Sequence, residues 1–451
     1  MIGLKTIGNA TLIAYDKKSI LATDPWLGEE DFAYFGSWNL SHKIPLELKK
    51  DIQDSKYIWI SHGHPDHLNS LSMERFKGKK ILLPDHVGSR IKNGFIEDGF
   101  ETEILPDRKW IHLSDNIKVF CITTVIQDAM LLIDVNGYLF VNLNDAGSRG
   151  ATRIIRKIAR KYRKKFLLTI SGYGDADMIN FFDEHGEFIE PPAANNLDVG
   201  NQLSIFAKSL CIDAVIPFSS FHVYQRKDSI WANNYTTPME AYKKDLHNDI
   251  QYVEPFSNIN CSSGEITKIE VEENLINPIE PNQFGDDWND ELTNNDIIKI
   301  TDYFSRKEKV KRFLSFLNFR VGGKDNFIKL EGIKHKGITF EVPKNSLMMA
   351  IELEIFDDLL IGNFMKTTLH NMRSLYEGDF NQYTTKYADN GRAESIEELE
   401  TYFKIYNKRI GSERFYELFL DNSSNFIKRL IPTDRSSMIY KTSKKIYYKL
   451  K

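Results

Sequence analysis

The chain has 451 residues, more than one small core can organise, so length alone predicts two or three packed units, with two the starting expectation. A composition of 41% hydrophobic, 27% charged and 12% aromatic residues excludes a mostly disordered chain. With 59 basic residues against 63 acidic ones the net charge is −4, which excludes a global positive field for holding nucleic acid or anionic lipid.

The best apolar stretch, residues 345–365, is interrupted by Glu352, Glu354, Asp357 and Asp358, so no membrane span is expected. The opening MIGLKTIGNATLIAYDKK lacks a basic segment followed by an apolar one, and the expected location is the cytoplasm. Cys121, Cys211 and Cys261 are far apart and form no C-x-x-C pair. That spacing argues against a disulfide framework, a cysteine zinc site and an iron–sulfur cluster.

Short branched or aromatic runs at 11–15, 20–23, 57–60 and 80–83, bounded by Gly, Pro or Asp, read as buried strands. Residues 130–135 and 138–142 flank Asn136-Gly137, the pair suited to the two positive-φ positions of a tight hairpin. Residues 152–165 carry apolar side chains at helical spacing opposite a basic face, and a strand over 166–170 follows directly. A second helix is expected over 198–210, with Asp198 as its cap, leading into a strand over 213–218. This β/α alternation packs helices outside sheets. Between 270 and 295 the chain turns acidic and rich in Asn and Pro, which places a boundary near Pro278 and gives units 1–275 and 276–451. The second unit reads as α-rich, with helical patterns at 295–318, 346–372, 395–406 and 413–420 around a strand-like pair at 326–330 and 337–342.

The chemistry concentrates at 57–68, YIWISHGHPDHL, where a strand is followed by His62, His64, Asp66 and His67. Neutral imidazole nitrogen and anionic oxygen are ligands that Zn²⁺ and Fe²⁺ share, and a strand-end loop can aim alternate side chains at two adjacent cations. The plainer alternative is a solvated turn with Asp66 capping a helix. Downstream, Asp145 ends the second hairpin strand, where a carboxylate can bridge two cations or serve only as a turn residue.

H-x-H-x-D-H after a strand resembles the signature of the metallo-β-lactamase fold, and residues 8–10 and 21–26 resemble its two opening strands and T-D-P-W turn. The resemblance implies an αββα sandwich with metals at one edge and Asp145 as the bridging aspartate. The family's histidine before the hairpin has no counterpart in 123–128, where Asp128 is the one strong ligand. The family's last histidine corresponds to His222, as a ligand or as a pocket residue. The resemblance thus implies a metal set of His62, His64, Asp66, His67, Asp145, His222 and Asp128, with Asp66 and His67 as catalytic residues and one or two Zn or Fe ions as cofactor.

Residues 60–68, 127–145, 216–221 and 356–362 are similar to the metallo-β-lactamase-like domain of CMP-N-acetylneuraminate hydroxylases and related nucleotide-sugar hydroxylases. Those enzymes also carry a Rieske domain, whose C-x-H and C-x-x-H pairs are absent here. The implied activity is that of a metalloenzyme on a nucleotide-activated or other anionic amino sugar, with electrons from a separate protein if it is a monooxygenase. A hydrolase of an ester, lactone or phosphodiester is the alternative, and a non-catalytic metal-binding interaction protein is a further one. The loop at 171–178 suits a pocket mouth or an ordinary strand-to-helix turn, and Arg149 and the basic face of 153–165 suit an anionic group, with a plain solvated surface as the commoner reading of both. The basic tail 441–451 is a weak case for nucleic acid, so neither nucleic acid nor membrane is expected as a partner.

Overall fold

Alternation along the strands decides how the layers form. In a computed structural model, which describes residues 1–170, 178–191, 198–275, 277–375, 377, 380 and 393–413, Ile13, Ile58, Ile81 and Leu83 face one side of the first sheet. Their neighbours Leu12, Trp59 and Leu82 face the other side. The second sheet does the same, with Val119, Leu131, Ile133, Phe166 and Leu168 inward and Phe120, Leu132, Val141 and Leu167 outward. The inward sets meet in one buried layer. Leu48 and Ile52 of helix Leu46–Asp54 and Phe95 of helix Arg90–Glu97 cover the outer face of the first sheet. Ile155 and Ile158 of Thr152–Ala159, with Leu203 and Ala207 of Val199–Ser209, cover that of the second. The result is the expected αββα sandwich.

The first sheet runs Ile266–Lys268, Ser257–Asn260, Ile2–Thr6, Leu12–Asp16, Lys18–Thr23, Tyr57–Trp59, Lys80–Pro84, Glu101–Leu105. The last four strands are parallel, so the loops leaving Lys18–Thr23 and Tyr57–Trp59 emerge side by side. The second sheet runs Gln251–Tyr252, Ala214–Pro217, Lys164–Thr169, Tyr138–Asn144, Ala129–Val135, Ile117–Thr123, Trp110–His112. Its hairpin pairs Val135 with Tyr138 around Asn136 and Gly137 at φ 51° and 82°. The helix expected over 152–165 stops at Ala159, where Lys161 N–H and Tyr162 N–H donate to Ile158 O and Ala159 O in a tightened last turn, and the Tyr162 hydroxyl then donates to Asp134 Oδ2 at 2.7 Å. Strand Lys164–Thr169 begins immediately after.

The C-terminal half has helices at Asn294–Ser305, Lys344–Glu352, Phe356–Ile361 and Ile396–Ile410. It adds a sheet that the helical patterns did not separate out, ordered Phe181–Asp183, Lys366–His370, Ile333–Glu341, Leu314–Val321, Lys324–Lys329. The helical readings at 295–318 and 346–372 therefore give way to strands at Leu314–Val321 and Lys366–His370. In Leu314–Val321 the side chains of Leu317, Phe319 and Val321 enter the core at alternate positions, a period of two that helical spacing masked. The acidic stretch near Pro278 lies along the first half, where Asn274 N–H donates to Ser41 O and Ile279 N–H to Gln225 O. No helix among the described residues is long and apolar enough to cross a membrane. Residues 171–177, 414–420 and 441–451, which carry the expected pocket-mouth loop, the last helical pattern and the basic tail, lie outside the described residues.

Candidate metal centre

The histidine loop is pinned from beneath by Asp24, which ends the adjacent strand with φ 39°. Its fully buried carboxylate accepts from Ser61 N–H at 2.7 Å, Ser61 Oγ at 2.8 Å and Asn144 Nδ2 at 3.1 Å, and it stands 3.1 Å from His67 Nδ1. Held there, His67 keeps Nδ1 protonated and turns Nε2 outward. Asn9 is a second tie: Nδ2 donates to Asp66 Oδ2 at 2.8 Å, and Oδ1 accepts from Phe221 N–H at 2.8 Å. The Tyr34 hydroxyl donates to the other oxygen of Asp66 at 2.5 Å.

Asp145 arrives from the second sheet. The ladder between Tyr138–Asn144 and Lys164–Thr169 slips between Asn142 and Asn144, and Asn144 adopts φ 48°. This bulge re-aims the next residue across the edge of the sandwich. Asp145 Oδ2 lies 3.3 Å from His67 Nε2 and 3.9 Å from His62 Nε2. His62 Nε2 and His64 Nδ1 are 2.9 Å apart, close to the roughly 3 Å spacing of two nitrogens on one cation at about 2.0–2.1 Å each. Asp66 Oδ2 is 3.3 Å from His67 Nε2.

Two observations fit a cation to these residues. His67 Nε2 and Asp145 Oδ1 are buried without a hydrogen-bond partner among the described residues. One ligand atom from each of His62, His64 and Asp145 also falls within 4.8 Å of the other two. The electrostatics agree: burial disfavours charge on His67, yet Asp66 and Asp145 outweigh it and hold its pKa well above the usual value. Burial likewise opposes ionisation of Asp66, but His67, His64 and the Tyr34 hydroxyl keep it below the ordinary carboxylate range. The cluster demands positive charge, which a proton or a divalent cation supplies.

The remaining sequence candidates divide. His222, in the short strand His222–Tyr224 paired with Trp38–Leu40, stacks on Trp38 with ring centroids 3.4 Å apart and planes 1° from parallel. Burial lowers its pKa to about 3, against the pull of Asp66 and Asp145. Asp128 Oδ1 is 3.6 Å from Nδ1 of His62, the ring nitrogen that also meets Ser61 Oγ at 2.9 Å, whereas Asp145 and His64 meet Nε2. Arg149 is exposed.

Sequence reading missed Asp24, Asn9, Tyr34, Asp357 and Asp358. Asp24 and Asn9 lay inside quoted motifs without assigned roles. Asp357 and Asp358 begin helix Phe356–Ile361, and Asp357 Oδ2 reaches His64 Nε2 at 3.2 Å across 293 residues. His64, Asp357 and Asp358 form a second trio with ligand atoms within 4.8 Å.

No protein-family model matches the chain. A 144-residue segment, 30% of this chain and 22% of the other, is 26% identical to the cytidine monophosphate-N-acetylneuraminic acid hydroxylase of Asterias rubens. The match to the inactive human counterpart likewise covers only 30% of that protein, so the chain spans less than a third of these relatives' length. A metallo hydrolase from Ignicoccus hospitalis superposes over 59% of this chain and 99% of its own, with TM-score 0.37 and 13% identity. A diiron β-hydroxylase from Streptomyces venezuelae covers 54% of this chain and 49% of its own, with TM-score 0.32 and 12% identity. With its two-sheet αββα layering and strand-end histidine loop, the chain has the metallo-β-lactamase fold with a candidate metal site at its edge, and is similar over about a third of its length to CMP-N-acetylneuraminic acid hydroxylases.

Proposed function

We propose that this chain is a metalloenzyme that acts on a nucleotide-activated or other anionic amino-sugar substrate at the edge of the sandwich. The observation that carries the metal reading is the meeting of His62, His64, Asp66, His67 and Asp145 from loops of both sheets, with His67 Nε2 and Asp145 Oδ1 buried and without a hydrogen-bond partner among the described residues. The substrate class is supported by the similarity to CMP-N-acetylneuraminic acid hydroxylases.

In this reading His62, His64, Asp66, His67 and Asp145 hold one or two divalent cations, and His222 closes the pocket wall on Trp38. When bound, such a cation supplies Lewis acidity to the bond being broken, and iron would add redox chemistry. Asp24 fixes the His67 tautomer, Tyr34 and Asn9 hold Asp66 ionised, and Asp145, with 28% of its side chain exposed, stands at the open side. Three imidazoles with the carboxylates of Asp66 and Asp145 make a mixed nitrogen and oxygen set that zinc and iron share. The absence of a histidine from 123–128, where Asp128 stands, supports oxygenation with electrons from a separate protein ahead of a dinuclear zinc hydrolase.

Elemental analysis of protein purified without chelators, beside a His62→Ala/His64→Ala variant, tests the reading. One or two equivalents lost in the variant are expected. Iron supports oxygenation and zinc supports hydrolysis, while no stoichiometric metal in the wild type sinks both. Thermal-shift titration of the metal-loaded protein with CMP-N-acetylneuraminic acid should raise Tm in a concentration-dependent way. An unchanged Tm up to millimolar ligand would remove the substrate class.

A further inference from the structure

We propose that Asp357, contributed by the C-terminal half of the chain, is a positioning residue for the metal centre, holding His64 so that its Nδ1 lone pair faces the cation. This rests on the reading of His62, His64 and Asp145 as ligands. It adds that the C-terminal half sets metal affinity.

Three observations converge on Asp357. Apart from Asp357 and its neighbour Asp358, the helix is made for a core: Phe356, Leu359, Leu360 and Ile361 are all buried. A carboxylate in that setting is costly unless a donor meets it. Among the described residues the ion-pair partner of Asp357 is His64, with Oδ2 3.2 Å from Nε2. The two nitrogens of His64 have different surroundings, since Nδ1 lies 2.9 Å from His62 Nε2, inside the ligand cluster. A carboxylate on Nε2 selects the tautomer with hydrogen there, which turns the Nδ1 lone pair toward the ligand cluster and raises its basicity. Asp357 therefore performs for His64 what Asp24 performs for His67, with the ring nitrogens exchanged. The two supports come from opposite halves of the chain.

The test uses the full chain, stripped of metal and titrated with Zn²⁺ in competition with a chromophoric chelator. Asp357→Ala should weaken zinc binding about 10–100-fold without lowering the saturating stoichiometry. Asp357→Asn, which keeps an oxygen acceptor, should fall between that variant and the wild type. The tautomer is read directly by ¹⁵N-histidine NMR of the metal-free protein, with His64 assigned by difference from His64→Gln. The proposal expects hydrogen on Nε2 in the wild type and a mixed population in Asp357→Ala. A wild-type His64 carrying hydrogen on Nδ1 overturns it even if no Asp357 variant folds. So does an unchanged zinc affinity in Asp357→Ala, or loss of a whole zinc equivalent at saturation, which would make Asp357 a ligand. A wild type that takes up no zinc fails the metalloenzyme reading itself, whereas normal uptake independent of Asp357 fails this inference alone.

Discussion

Asp24 shows how much of the centre hangs on residues that touch no metal. Removing its carboxylate strands the Ser61 amide and Asn144 Nδ2 and releases His67. Each buried donor left unpaired costs about 1–3 kcal/mol, so Asp24→Ala should lose roughly 3 kcal/mol or more in urea unfolding and retain less metal. A second residue-scale effect concerns His42 and His86, neither of them a proposed ligand. Burial pushes each pKa down to about 4, against the hydrogen bonds of His42 to Ile7 O and His86 to Ser61 O. Below pH 6.5 the unfolded chain takes up protons that the folded one refuses until about pH 4. Stability is therefore full above pH 6.5 and falls as pH drops through that window, by about 3 kcal/mol for each histidine. Urea midpoints measured from pH 7 to pH 4 should decline, and His42→Gln should flatten the decline. The histidine cluster was legible because three imidazoles and a carboxylate follow one strand within six positions. The supports were not, because Asp24 meets Ser61 across 37 residues and Asp357 meets His64 across 293. No local period encodes such pairs.

Among the elements, those with a short-range signature were readable. The 129–144 hairpin announces itself through Asn136-Gly137, and the structure places both residues at positive φ. A Cβ on Gly137 would meet no atom within 4 Å, so Gly137→Ala isolates the backbone cost. It should destabilise by about 1 kcal/mol in chemical denaturation, with the fold and metal content unchanged. The third sheet was opaque for the opposite reason. Leu314–Val321 follows directly on helix Glu308–Phe313, and no turn residue separates the two. Helix Ile396–Ile410 was foreseen as a pattern but not in its placement. The Tyr402 hydroxyl donates to Val125 O at 2.8 Å and the Tyr406 hydroxyl accepts from Val87 N–H at 3.1 Å, beside the turn that carries Asp128. Tyr406→Phe should cost about 1 kcal/mol and speed amide exchange at Val87, measured by hydrogen–deuterium exchange.

Across the whole molecule, Arg226 joins what composition divides. Its guanidinium is fully buried, binds Asp228 and Asp286, donates to Phe35 O and lies 3.9 Å over the Phe364 ring. The Phe181–Asp183 strand, from the first half, completes the sheet of the second by pairing with Lys366–His370. We therefore propose that 1–275 and 276–451 are units of sequence that fold as one body. Expressed alone, the first piece would leave Arg226 without Asp286 and Phe364, and His64 without Asp357. The two pieces should consequently behave as a split protein. Co-expressed, they should copurify and bind metal as the intact chain does, while the isolated first piece should be insoluble or metal-poor, so the break in composition marks a seam along which the chain can be divided and rejoined.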